Sequence, residues 1–157
     1  MKILNSGLKI FFWVILIISF DIKSDISVKE LDLKEVFKSG RSLMSLDNGL
    51  HHLEEESDTQ KVLFIGVHGS DSEGYEWIYP LITINDNQNL MSFFRYNDNL
   101  CPNRAFANLS NEINRLLDQN KNIEQVVLMG HSYGAIIIAM FSETWINEVP
   151  LTLHSVA

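Results

Sequence analysis

The stretch Val126-Val127-Leu128-Met129-Gly130-His131-Ser132-Tyr133-Gly134-Ala135 decides how the chain is read. It opens on a short apolar, β-rich run and passes directly into Ala135-Ile136-Ile137-Ile138-Ala139-Met140-Phe141, a run that suits an apolar helix. The pattern therefore predicts a strand, a tight turn and a helix. On such a turn Ser132 is held in a strained backbone conformation with its hydroxyl projecting above the sheet edge. A side chain at Gly130 or Gly134 would collide with the neighbouring strand or helix, which is the reason for glycine two residues on either side. The helix N-terminus then points at Ser132, where free N–H groups and the positive end of the helix dipole favour a developing negative charge.

The same alternation of elements extends on both sides. Residues 61–67, Lys-Val-Leu-Phe-Ile-Gly-Val, form an apolar run ending at His68-Gly69, expected as a strand buried on both faces. Residues 75–84 are expected to hold a helix or turn around Trp77, and residues 90–96 a second strand stopped by Asn97-Asp98-Asn99. Phe106, Leu109, Ile113, Leu116 and Leu117 recur at three- and four-residue spacings, which predicts an amphipathic helix over 103–120. A third strand follows over 123–129, a helix over 135–145 and a fourth strand over 151–156. Strand and helix in this order imply an α/β class, a mostly parallel sheet with helices on its faces.

Upstream, Lys2 and Lys9 precede an uncharged run over 10–20, Ile-Phe-Phe-Trp-Val-Ile-Leu-Ile-Ile-Ser-Phe. A basic start followed by an apolar segment shorter than the roughly 20 residues of a spanning helix is the pattern of a secretory signal. Residues 1–22 are expected to direct export to the periplasm or the outside. Ser19-Phe20-Asp21 fits a cleavage site poorly, and the alternative is an uncleaved anchor that associates with a membrane through residues 10–20. Residues 23–60 read as a polar extension with helices over 28–38 and 41–56, leading through an acidic 54–58 into the next element. His51 and His52 are expected on an exposed segment, with no carboxylate or cysteine spacing that completes a metal site.

The composition is that of a globular protein, 46% hydrophobic and 20% charged over 157 residues. Twelve basic residues against twenty acidic ones give a net charge of −8, which argues against nucleic acid as a partner. The single cysteine, Cys101, closes no internal disulfide and no redox or metal motif frames it.

Taken with its flanks, Gly130-His131-Ser132-Tyr133-Gly134 makes residues 61–157 resemble the α/β-hydrolase superfamily, above all its serine esterases and lipases. A second element of the resemblance is Val67-His68-Gly69-Ser70, a His-Gly loop at the end of an earlier strand. The resemblance implies Ser132 as nucleophile, with the backbone N–H groups of Ser70 and Tyr133 as the oxyanion hole. It implies supporting roles for His68, Gly69, Gly130, His131 and Gly134, an ester or lipid as substrate, and no metal or cofactor. His68 is expected to make a structural hydrogen bond, and the His131 side chain to point away from Ser132. Tyr75, Trp77, Ile78 and Tyr79 would suit an acyl or aromatic substrate, or pack in the core.

The chain departs from the superfamily in one respect. The superfamily order is serine, then acid, then histidine, whereas only 25 residues (157 minus 132) follow Ser132 here. The only later histidine, His154, falls within the fourth strand and is expected to be structural or to line a pocket. Two readings stand: residues 61–157 are the first part of a longer hydrolase, truncated before its acid and histidine, or the chain is an inactive homologue that binds a ligand. The fourth strand is expected at an exposed sheet edge.

Overall fold

In the computed structural model, which describes residues 26–156, the strand–turn–helix at Ser132 belongs to one sheet, on the strand beside its centre. Its strands are β1 (Gly49–His52), β2 (Val62–Val67), β3 (Asn89–Arg95), β4 (Gln125–His131) and β5 (Leu151–Val156). Their spatial order is β1-β3-β2-β4-β5, with β1 antiparallel to β3 and the other three pairings parallel. The chain is thus an α/β structure with a mostly parallel five-stranded sheet. The apolar segment expected to direct export, residues 10–20, lies outside the described residues.

Strand β2 is central, and Leu63 to Val67 are all buried, as its unbroken apolar run demands of a strand covered on both faces. Four helices do the covering: α1 (Val36–Met44), α2 (Ile78–Ile84), α3 (Pro102–Gln119) and α4 (Tyr133–Glu143). Leu109, Ile113, Leu116 and Leu117 of α3 and Ile137, Ile138 and Phe141 of α4 pack with Leu63, Ile65, Val126 and Leu128 on one face. On the other face, Trp77, Ile78 and Leu81 pack with Phe64, Met91, Phe93 and the Leu43 of α1. Burying each such side chain contributes about 1.5–3 kcal/mol, so both layers stabilise the sheet. Pro102 opens α3, at the helical position where a missing N–H costs nothing.

The segment before β2 differs from the expectation of two helices. Residues 28–30 form a single 3-10 turn, α1 spans only Val36–Met44, and residues 49–52 are a strand rather than helix. Asp32 accepts from Lys34 N–H at 2.7 Å, and this local bond holds a turn where the apolar spacing suggested helix. Helix α1 has already closed at its C-cap Ser45, Gly49 adopts φ +145°, and β1 then pairs along Gly49↔Arg95 to His52↔Ser92. His51 and His52 are correspondingly not exposed. His51 is buried with Nε2 2.7 Å from Asp47 O, and the half-buried His52 places Nδ1 2.9 Å from Ser92 Oγ. Helix α4 begins two residues before the expected 135, directly after Ser132. Strand β5 lies at the sheet edge, with Ser155 and Val156 exposed.

Candidate active site

Ser132 has φ 51° and ψ −116°, a combination that side chains with a Cβ rarely adopt and that costs on the order of 1–3 kcal/mol. Two backbone bonds hold it there. Its N–H donates to Val156 O of β5 at 2.8 Å, and its carbonyl accepts from Ala135 N–H at 3.0 Å. The serine is exposed at the tip of the turn. The turn is tight enough that a Cβ on Gly134 would lie 2.3 Å from Val67 O and 2.5 Å from His68 O, and one on Gly130 would lie 2.6 Å from Gly134 C. Both glycines are therefore required by the close approach of backbone to backbone, as the spacing predicted.

The parallel register sets Val67 beside Gly130, so the loop leaving β2 runs past the serine turn. A Cβ on Gly69 would meet Ser132 Cβ at 3.1 Å and His131 Nδ1 at 2.9 Å. The fold thus brings together the two sequence elements, His68-Gly69-Ser70 and Gly130 to Gly134, which lie about 60 residues apart in the chain. Tyr133 is the first residue of α4, so its N–H has no partner within the helix.

His68 is fully buried and makes the structural contacts expected of it. Gly69 O can only accept, so the 2.7 Å contact assigns the proton to His68 Nδ1. Nε2 then accepts from Arg95 at 3.0 Å and from Tyr96 N–H at 3.2 Å. Burial, aided by the Arg95 charge, pushes the imidazole below its ordinary value and keeps it neutral. Tyr96 stacks on this ring at 4.1 Å and donates its hydroxyl to His68 O at 2.7 Å, while burial raises its own phenol. With both nitrogens engaged, His68 is a scaffold for the loop and not a base.

The next turn of the loop is held by Asp98, from the loop after β3. Asp71 adopts φ 52°, and its N–H donates to Asp98 Oδ2 at 2.6 Å, with the Ser70 hydroxyl also bonded to that carboxylate. These bonds, the Asp71 N–H first, hold the Asp98 carboxyl below the usual range. In the sequence, Asn97-Asp98-Asn99 reads only as a strand stop. The run of turn-forming residues marks the loop but carries no sign of what its carboxylate reaches. Arg95 was equally unmarked, yet its Nε donates to Met44 O at 3.0 Å, tying the end of α1 to the same network.

Other expected residues fall elsewhere. Among the described residues no hydrogen bond reaches Ser132 Oγ. His154 stands on β5 opposite Met129, on the edge strand, and lines a shallow trough of about 300 Å³ with Val62, Phe64, Ile84, Asn89, Val127 and Met129. His131 Nδ1 is buried without a hydrogen bond and lies 3.9 Å from Glu76 Oε1. Trp77 and Ile78 are core residues, whereas Tyr75 and Tyr79 are exposed, with Tyr75 packed against Phe37 at 5.2 Å. Among the described residues no three His, Cys, Asp or Glu side chains converge to hold a metal ion, and no helix is long and apolar enough to cross a membrane.

The chain matches no protein-family model, no curated protein and no solved structure.

Proposed function

We propose that this chain is an α/β-hydrolase-like serine hydrolase acting on carboxylic esters or lipids, with Ser132 as its nucleophile. The observation that carries the reading is the backbone of Ser132, φ 51°, between two glycines that admit no side chain and at the N-terminus of α4. A strained, exposed serine on a rigid strand-to-helix turn is what acyl transfer needs: the hydroxyl is presented and the helix N–H groups lie behind it. The loop held by His68 and Asp98 supports Ser70 N–H as the second donor. In this reading Oγ attacks the ester carbonyl as a base takes its proton, the oxyanion rests on the N–H groups of Ser70 and Tyr133, and the departing alkoxide takes that proton back and leaves as the alcohol. Water then attacks the acyl-serine carbonyl and releases the acid. Each attack needs a proton acceptor, which is why Ser–His pairing is the rule for such enzymes.

A second reading, an inactive ligand-binding homologue, is favoured by the same site, since no described side chain bonds to Ser132 Oγ. A fluorophosphonate probe separates the two. Covalent labelling of the full chain that disappears in Ser132→Ala supports the hydrolase, and an unlabelled wild-type protein sinks it. We further propose export through residues 1–22. N-terminal mass analysis of protein from the expressing cell tests it: a chain starting beyond residue 20 supports cleavage, and an intact Met1 in the soluble fraction overturns export.

A further inference from the structure

Outside the groups already assigned, one cluster of polar side chains joins the two halves of the site. His131 is the residue before the serine, and its Nδ1 is buried without a hydrogen bond. Among the described residues, the only carboxylate oxygen within 4 Å of it is Glu76 Oε1, at 3.9 Å. That oxygen already accepts the Ser72 hydroxyl, and Ser72 Oγ in turn accepts Gly74 N–H at 3.0 Å. Glu76 lies on the 3-10 turn Tyr75–Trp77, which the buried Trp77 seats in the core. Its carboxylate is therefore held by the loop that follows Ser70, with the same oxygen 3.9 Å from His131, the last residue of β4.

We infer that Glu76 is a positioning residue: it accepts Nδ1–H of His131 and the Ser72 hydroxyl together, and so sets the 69–74 loop against the serine turn. The inference rests on reading Ser132 as the nucleophile. An oxyanion hole built from Ser70 N–H and Tyr133 N–H draws its two donors from different elements, and such donors must be held to about half an ångström. No bond of the His68 and Asp98 network reaches β4, whereas the Glu76–His131 contact does. Closing 3.9 Å to hydrogen-bond range takes about 1 Å of movement, and a buried imidazole nitrogen with no partner favours that closure.

The test uses the full chain with ¹⁵N-labelled histidine, comparing wild type, Glu76→Ala and Glu76→Gln. In wild type the His131 ring signals are expected to show a protonated Nδ1. Glu76→Ala is expected to move the proton to Nε2 and to shift the amide signals of Ser70 and Tyr133, and Glu76→Gln, which keeps an acceptor oxygen, to restore them. Ser132-dependent fluorophosphonate labelling is expected to slow about tenfold or more in Glu76→Ala and to recover in Glu76→Gln. Ring and amide signals unchanged in a folded Glu76→Ala protein overturn the inference. A wild-type chain that takes no Ser132-dependent label overturns the hydrolase reading instead, and the spectra still decide whether Glu76 couples the loop to the turn.

Discussion

The strain at Ser132 can be measured separately from its chemistry. At φ 51° and ψ −116° a serine carries on the order of 1–3 kcal/mol of backbone strain, and glycine carries little of it. Ser132→Gly removes that strain but loosens the unfolded chain, which costs about 0.5–1 kcal/mol. Ser132→Ala keeps the strain and removes only an exposed hydroxyl that no described group bonds, so it is the matched reference. The glycine variant is thus expected to be more stable than the alanine variant by about 0.5–2 kcal/mol. With a urea dependence of about 2 kcal/mol/M for a chain of this size, that is a rise in the unfolding midpoint of about 0.25–1 M at unchanged slope. If Ser132 is the proposed nucleophile, both variants are also expected to lose the fluorophosphonate label. A glycine variant as unstable as the alanine variant, or less stable, would show that the turn is not strained and would remove the observation on which the functional reading depends.

Gly134→Ala is expected to destabilise by about 3 kcal/mol or more, because its Cβ would stand 2.3 Å and 2.5 Å from two backbone carbonyl oxygens that cannot rotate away. A urea midpoint equal to wild type refutes that packing. Asp98→Ala is expected to cost on the order of 1 kcal/mol through the lost acceptor of Asp71 N–H, and to speed amide exchange at Ser70 and Asp71; unchanged exchange at both refutes the loop clamp. Stability is also expected to fall on acidification. Burial holds His52 and His68 below their ordinary 6.5, so the unfolded chain binds their protons first. Their contribution is fully present above about pH 6.5 and is lost as pH falls through the lowered folded values. The depressed Asp98 adds a separate loss, beginning below its ordinary 3.8. Denaturation curves at pH 7.5 and pH 5 that coincide refute the histidine part.

The elements around the site were legible because their signals are local. The uninterrupted run of β2, the three- and four-residue spacing of α3, and two glycines bracketing Ser132 each state a backbone requirement within ten or twenty residues. The strained backbone of Ser132 is signalled there too, by glycines two residues on either side between an apolar strand and an apolar helix. Where the reading failed, the deciding partner was remote. Residues 49–52 have no strand period of their own and become β1 only because β3, with partners forty or more residues on, offers an unpaired edge. His51 and His52 are covered for the same reason.

The network behind the serine was decided at a further remove. That Asp98 receives Asp71 N–H and that Arg95 braces both His68 and the end of α1 follow from the parallel register that sets Val67 beside Phe94, and that Glu76 approaches His131 depends on the register that sets Val67 beside Gly130. Hydrogen bonds fall off within a fraction of an ångström, so such partners appear only once the sheet has placed the strand ends side by side. That Ser132 stands on a strained turn at the end of a strand can be read from ten consecutive residues. Which side chains hold the facing loop emerges with the assembled sheet, because those contacts join residues that no local pattern relates.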